Sequence, residues 1–197
     1  NKGMDLLKFM DRGFYSRTIN SPSFSSKFVN LGKNSGTILL SAIDEVSPYL
    51  IGGSGVDLRK FVDSVEPSNR FTVMMISRLL KDKGVYEFIE ASKILSSKQI
   101  DVRMILVGEI DENPMSITRK EVEKWVKDET IEWWGHRNDI NQVMTNSNVI
   151  CLPSHHEGFP KVLMEAAASA RAVITTDIPG CRDAIIQDVT GILVKKY

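Results

Sequence analysis

Two glutamates eight positions apart, Glu157 and Glu165, stand in the stretch PSHHEGFPKVLMEAAASA, Pro153 to Ala170. A carboxylate accepts charge-assisted hydrogen bonds roughly twice as strong as neutral ones, so such a pair suits the hydroxyls of a polyhydroxylated ligand. The run NVICL, Asn148 to Leu152, reads as a buried strand, and Leu163, Ala167 and Ala170 recur at helical steps beyond it. The loop carboxylate and a helix N-terminus then meet beyond the carboxyl end of a strand. The free N–H groups of the first turn suit a phosphate or a developing negative charge. A paired-carboxylate hydrolase would use the same residue types as acid and base. Glu165, inside a helix and followed by Ala166, Ala167 and Ala168, fits a ligand's edge better than attack on an anomeric carbon. Two solvated glutamates would leave the same letters.

A second set is basic. Arg78 follows the strand FTVMMIS, and Lys83 and Gly84 end the segment SRLLKDKG at a helix start. An Arg fork and a Lys point charge beside a helix N-terminus make a diphosphate clamp. Their charge opposes the helix dipole, which an anion would relieve. A solvated basic patch around a tight turn is the other reading, and the residues alone do not separate the two. Gly108 ends the strand DVRMILVG, where a ligand could approach the backbone. Gly135 ends TIEWWG, with His136 and Arg137 after it; Trp133 and Trp134 read as sheet-packing residues.

Metal and thiol chemistry find little support. His155 and His156 are adjacent and would point apart on a regular element, and no Cys/His/Asp set has structural-zinc spacing. Cys181 in PGCRD lacks a recognisable base, and two cysteines make no disulfide framework. The charge is balanced at 25 basic and 25 acidic residues, which gives no electrostatic footprint for nucleic acid. No apolar run reaches the ~20 residues that span a bilayer.

From Phe71 onward, strands and helices alternate. The strands are FTVMMIS, DVRMILVG, TIEWWG, NVICL, AVITTD and GILV. Between them come KGVYEFIEASKILSS, with Val85, Phe88, Ile89 and Leu95 inward, and ITRKEVEKWVKDE, with Ile117, Val122, Trp125 and Val126 inward. DINQVMTNS, KVLMEAAASA and a short helix at Arg182 to Ile186 complete the set. This rhythm predicts an α/β, Rossmann-like, doubly wound and mostly parallel sheet with helices on both faces. Residues 51–197 form that domain, beginning between Asp57 and Phe71, behind the glycine-rich connector IGGSGVD. Residues 1–50 read differently, as an amphipathic helix around Leu6 to Met10, turns, and a strand TILLSAI.

The ordered set GSGVD, SRLLKDKG, LVG, WG, PSHHEGFPKVLMEAAA, TTDIPGCRDAI and GILV, over residues 51–197, resembles the donor-binding C-terminal half of GT-B glycosyltransferases of retaining family 4. The resemblance implies that Arg78 and Lys83 hold a donor diphosphate and that Glu157 approaches the donor sugar. It further implies that Gly158 and Phe159 line the same site through backbone amides and that Glu165 binds the ribose. The turn around His136 and Arg137 lies near the base in such enzymes, and Gly108, at its strand end, is expected to contact the nucleotide as well. No cofactor and no metal are implied. The donor is a nucleotide-sugar, with a UDP-sugar favoured by the wording SHHEGFPKVLMEAAA and DIPGCRDAI, which is nearest to capsule and O-antigen members. The acceptor is then a lipid-linked glycan, here carried on undecaprenyl diphosphate. The location is cytoplasmic, with peripheral contact at the inner face of a bacterial membrane.

Residues 1–50 then resemble the tail of an N-terminal acceptor domain, whose glycine-rich loop and acceptor residues have no counterpart here. The chain is expected to be one half of a cleft, truncated at its C-terminus and poorly active alone. Pro160 stands where many members have glycine and removes one backbone N–H from the loop. A GT-B-like epimerase or phosphorylase would need acid–base residues or a pyridoxal-phosphate lysine that this segment does not display. A non-enzymatic α/β module would leave Arg78, Lys83, Glu157 and Glu165 diverging instead of lining one place.

Overall fold

The computed structural model describes residues 55–196. The expectations for residues 1–50 and for the first part of the glycine-rich connector fall outside them. Among the described residues there are six strands: β1 (Thr72–Ile76), β2 (Arg103–Val107), β3 (Glu132–Trp133), β4 (Val149–Leu152), β5 (Ala172–Thr176) and β6 (Gly191–Val194). Five helices accompany them: α1 (Val85–Ser97), α2 (Arg119–Lys127), α3 (Ile140–Met144), α4 (Lys161–Ala168) and α5 (Pro179–Asp183). A 3-10 turn at Lys81–Lys83 precedes α1.

The strands form one sheet in the order β3-β2-β1-β4-β5-β6, and every pair is parallel. The sheet is therefore wholly parallel rather than mostly so. Burial on both faces explains the near-continuous apolar runs, such as the fully buried TVMMI of β1. Alternate residues feed two cores. Val73, Met75 and Leu106 pack with Phe88, Leu95, Val122 and Trp125 on one face. Met74, Ile76, Ile105 and Ile150 pack with Met144, Leu163, Ala166 and Cys181 on the other. The layering is doubly wound, as the alternation predicts.

Several local expectations need correction. α2 starts at a capping box, in which Thr118 and Glu121 satisfy each other's backbone N–H groups. Val122 and Trp125 face inward, Ile117 is buried just ahead of the helix, and Val126 is 41% exposed. One step beyond Trp125 is a rotation of about 100° around the helix, enough to carry Val126 out of the apolar stripe. α4 ends at Ala168, and Ala170 has φ 55, a left-handed conformation outside the helix. Glu165 is thus the fifth residue of α4, little more than one turn in. The last short helix runs from Pro179, three residues earlier than expected, because proline fits the first helical position.

The segment from Asp57 to Arg70 has no strand or long helix, yet it is fastened to the amino-terminal edge of the sheet. Arg171, 1% exposed, donates to the Ser64 carbonyl at 2.9 Å, to Ser64 Oγ at 2.5 Å and to the Met144 carbonyl at 3.1 Å. Asn148, also buried, donates to Glu66 at 2.9 Å and to the Pro67 carbonyl at 3.0 Å, while its Oδ1 accepts from the Thr72 N–H. Burial pulls the Arg171 pKa below its usual value, and Glu66 acts in the opposite sense. The guanidinium supplies the donors that these backbone carbonyls would otherwise lack. Arg171→Ala is expected to lower unfolding stability by about 3 kcal/mol, since buried acceptors lose their partners and the aliphatic stem loses its packing. Denaturant titration checks the magnitude, and limited proteolysis should show early cleavage within residues 57–70.

Candidate functional site

Because all six strands are parallel, every loop after a strand emerges at one edge. The sheet order reverses direction between β1 and β4, which makes their loops the flanks of the switch point where open α/β sheets bind ligands. Lys83 follows β1 and Glu157 follows β4. Their side chains meet there, with Lys83 Nζ donating to Glu157 Oε1 at 2.8 Å. The two side chains are 17% and 13% exposed, so the pair is largely shielded from solvent.

Backbone contacts hold the two loops together. Gly84, with φ 79, ends the 3-10 turn and caps α1. A Cβ at this position would collide with the Pro153 carbonyl. The Asp82 carbonyl accepts from the His155 N–H at 2.8 Å and from Ser154 Oγ at 3.1 Å. His155 Nε2 lies 3.2 Å from Glu87 Oε1 on α1. On the far side, Gly180 packs against the carbonyls of Gly158 and Glu157 with no room for a side chain. Thr176 Oγ1 donates to the Ser154 carbonyl. The loops after β1, β4 and β5 therefore form one continuous surface.

Arg78 lies on the same edge, 64% exposed at its side chain and 3.6 Å from Asp111. It is free to reach outward in a way that Lys83 is not. Gly108 directly follows β2, as the sequence reading has it, and the Ser77 carbonyl lies where its Cβ would be. Its N–H donates to Gly135, and its own carbonyl accepts from the Trp133 indole at 2.9 Å. Its lack of a side chain is thus required by neighbouring backbone. His136 and Arg137 are exposed on the loop after β3. His136 contacts Asn138 at 2.9 Å and Glu109 at 3.6 Å, and Arg137 forms a two-pronged pair with Asp139 at 2.8 and 2.5 Å.

Gly158 is exposed and precedes Phe159, whose ring packs partly against the second core. The side chain of Phe159 is therefore occupied, and its backbone is what it can offer a ligand. α4 begins after Pro160 with no side-chain cap and no acidic residue in its first turn. Such an end presents N–H groups and a positive dipole end without an internal anion. Glu165 is 8% exposed, with Lys161 Nζ 3.4 Å from its Oε1. Burial raises the Glu165 pKa, and Lys161 partly offsets this. Both cysteines are buried and free, and burial pushes Cys151 up to about 12 and raises Cys181, so neither has the character of a nucleophile. Among the described residues no group of three His, Cys, Asp or Glu side chains is placed to hold a metal ion, and no helix is long and apolar enough to cross a membrane.

The sequence reading misses Lys161 and the His155–Glu87 contact, whereas the turn at Pro179-Gly180 is expected beside the Glu157 loop and lies there. Lys161 was legible as the residue four positions before Glu165. The His155–Glu87 contact joins segments distant in sequence and left no local signal.

An all-parallel, doubly wound sheet with charged loops across its switch point defines a ligand-binding α/β domain. Residues 57–197 match the model of Glycosyl transferases group 1, and the chain belongs to that family. It is 27% identical to the N,N'-diacetylbacillosaminyl-diphospho-undecaprenol alpha-1,3-N-acetylgalactosaminyltransferase of Campylobacter jejuni, over 97% of this chain and 52% of that protein. It is 32% identical to the capsular polysaccharide biosynthesis glycosyltransferase CapM of Staphylococcus aureus, over 66% of this chain and 34% of that protein. The chain thus spans about half the length, or less, of these curated relatives. Among solved structures it resembles the C-terminal domain of LpcC, a glycosyl transferase group 1 family protein from Francisella tularensis. The TM-score is 0.59 at 30% identity, covering 72% of this chain and 80% of that one. The fold also matches Anabaena HepE in complex with UDP, with a TM-score of 0.64 at 22% identity over 91% of this chain and 57% of that one.

A carboxyl whose pKa is raised by folding stabilises the protein fully only below its unfolded pKa, and that contribution is lost as pH rises through the folded value. Glu165 is such a group, so Glu165→Gln is expected to raise the melting temperature at pH 7. The advantage should shrink as pH falls and the wild-type carboxyl takes up its proton, which thermal unfolding across pH 3 to 8 would reveal.

Proposed function

We propose that this chain is the donor-binding half of a family 4 retaining glycosyltransferase that takes a sugar from a nucleotide-sugar, a UDP-sugar being favoured. The observation that supports this most is the meeting of Lys83 and Glu157 across the switch point of the sheet. Arg78 and Lys83 hold the donor diphosphate and stabilise the charge that builds on it as the bond to the anomeric carbon breaks. The amides of Gly158 and Phe159 and the uncapped start of α4 face the same anion. Glu157 accepts from hydroxyls of the donor sugar and Glu165 from those of the ribose. His136 and Arg137 border the base, and Gly108 belongs to the wall beside it. The acceptor hydroxyl oxygen bonds to the anomeric carbon with retention, the bond from that carbon to the diphosphate oxygen breaks, and the hydroxyl proton passes to the departing diphosphate. This chemistry needs no cofactor from the protein, since the leaving group's charge is met by side chains.

The Campylobacter and Staphylococcus relatives carry names that speak of an undecaprenol-linked acceptor and of capsular polysaccharide. They support a lipid-linked glycan as acceptor; capsule or O-antigen synthesis on the cytoplasmic side, with peripheral membrane contact, completes the proposal. An acceptor domain is the partner that completes the cleft.

Calorimetry with UDP, GDP and ADP, with and without magnesium, tests the donor reading. We expect one of the three to bind without magnesium, and Lys83→Ala and Glu165→Ala each to weaken it by about tenfold or more, as charged hydrogen bonds warrant. Arg78→Ala should cost less, its side chain being exposed. Binding that none of the three substitutions alters would overturn the assignment.

A further inference from the structure

We infer that Glu157 makes the site discriminate between a nucleotide-sugar donor and the nucleoside diphosphate left after transfer, by competing with the latter for Lys83. This rests on the donor-site reading above and concerns a property of Glu157 beyond contact with the sugar.

The lysine that would grip a diphosphate already has an anionic partner within the protein. Lys83 Nζ carries three donors, and one is committed to Glu157 Oε1 at 2.8 Å. The backbones that carry the two side chains are held close together. Lys83 is held by the 3-10 turn and by Gly84, whose Cα abuts the Pro153 carbonyl. The loop that carries Glu157 is tied to the Lys83 turn by Ser154 and His155, which donate to the Asp82 carbonyl, and Gly180 packs on the Glu157 and Gly158 carbonyls. With the side chains only 17% and 13% exposed, solvent screens the carboxylate weakly. Any phosphate that reaches Lys83 therefore also comes close to the negative charge of Glu157.

Two ligands meet that charge differently. In a nucleotide-sugar the terminal phosphate is esterified by the sugar and keeps a single ionisable oxygen, and the attached sugar brings hydroxyl donors that a carboxylate accepts strongly. In the nucleoside diphosphate the terminal phosphate gains a second ionisation, with a pKa of about 6, and has no hydroxyls to offer. The same carboxylate thus welcomes the donor and repels the product. Glu157 is in that sense a specificity-determining residue that favours product release. The Lys83–Glu157 contact also keeps both charges paired before either ligand arrives.

The test measures dissociation constants of UDP, GDP and ADP and of their glucose conjugates for the chain and for Glu157→Gln, which keeps the shape and removes the charge. For the nucleotide bound best by the wild type, the substitution should tighten the free diphosphate by about tenfold, a change of ~1.4 kcal/mol. It should leave the glucose conjugate unchanged or weaker. Glu157→Ser should shift the diphosphate in the same direction, which protects the test if the glutamine variant folds poorly. In Lys83→Met the substitution of Glu157 should lose most of its effect, since the competition is for that lysine. Diphosphate affinity that is unchanged or reduced in both Glu157 variants, with Lys83-dependent binding intact, would overturn this inference alone. Equal tightening of diphosphate and conjugate would do the same. Wild-type binding that does not depend on Lys83, or no binding in any form, would overturn the donor-site reading along with it.

Discussion

The close approach of neighbouring backbones along the carboxyl edge of the sheet is the constraint on which the rest of the site depends. The Pro153 carbonyl occupies the place of a Cβ on Gly84, and the Gly158 carbonyl that of a Cβ on Gly180. Each contact joins loops that belong to adjacent strands, β1 to β4 and β4 to β5. A side chain at either position would push the loops apart, and interiors packed at crystal-like density do not absorb such a shift. Only because the loops touch can Lys83, on one, reach Glu157, on the next, at hydrogen-bonding distance. The ion pair is therefore a consequence of backbone packing as much as of charge.

The two edges of the sheet divide the labour. At the amino edge, Arg171 and Asn148 spend buried polar groups on fastening residues 64–67, and their hydrogen bonds are with backbone and neighbouring side chains. At the carboxyl edge, charged groups are placed where folding alone gains little. Glu165 is buried with a raised pKa, and α4 starts without a cap. Both features cost stability that a ligand offering hydroxyls and negative charge would return. Local arrangements that oppose stability but converge on one place are what a binding site requires.

The order of elements was legible because this sheet is buried on both faces. Runs such as VMMI and VICL have no charged or amide position to confuse them, and α1 carries Val85, Phe88, Ile89 and Leu95 on one side as its spacing foretold. Helix ends were less legible. Ala170 has a helix former's side chain but adopts φ 55 where the chain turns toward β5, and Val126 is apolar yet faces solvent. In both, tertiary geometry overrode composition. Among the site residues, Lys83 and Glu157 could be named as chemically apt, but their contact spans 74 positions and follows from strand order, which single-sequence periodicity does not encode. The same holds for Arg171, a charged residue that composition would place at the surface and that is 1% exposed. At Gly108 the Ser77 carbonyl fills the place of a side chain, a backbone contact that the position of a glycine at a strand end does not by itself reveal.

The central claim is that the carboxyl-edge loops on either side of the switch point receive a nucleoside diphosphate. The most direct measurement is an amide NMR titration of the chain with UDP, GDP and ADP in turn. The account predicts that one nucleotide shifts the amides of Ser77, Lys83, Gly84, Gly158, Phe159 and Lys161, leaving those near Arg171 at rest. A shallow cavity of about 290 Å³ at the amino edge, lined by residues that include Arg70, Gln99, Asp101 and Glu129, offers the contrasting location. Shifts confined to that cavity, or the absence of shifts with every nucleotide in a folded sample, would contradict the account.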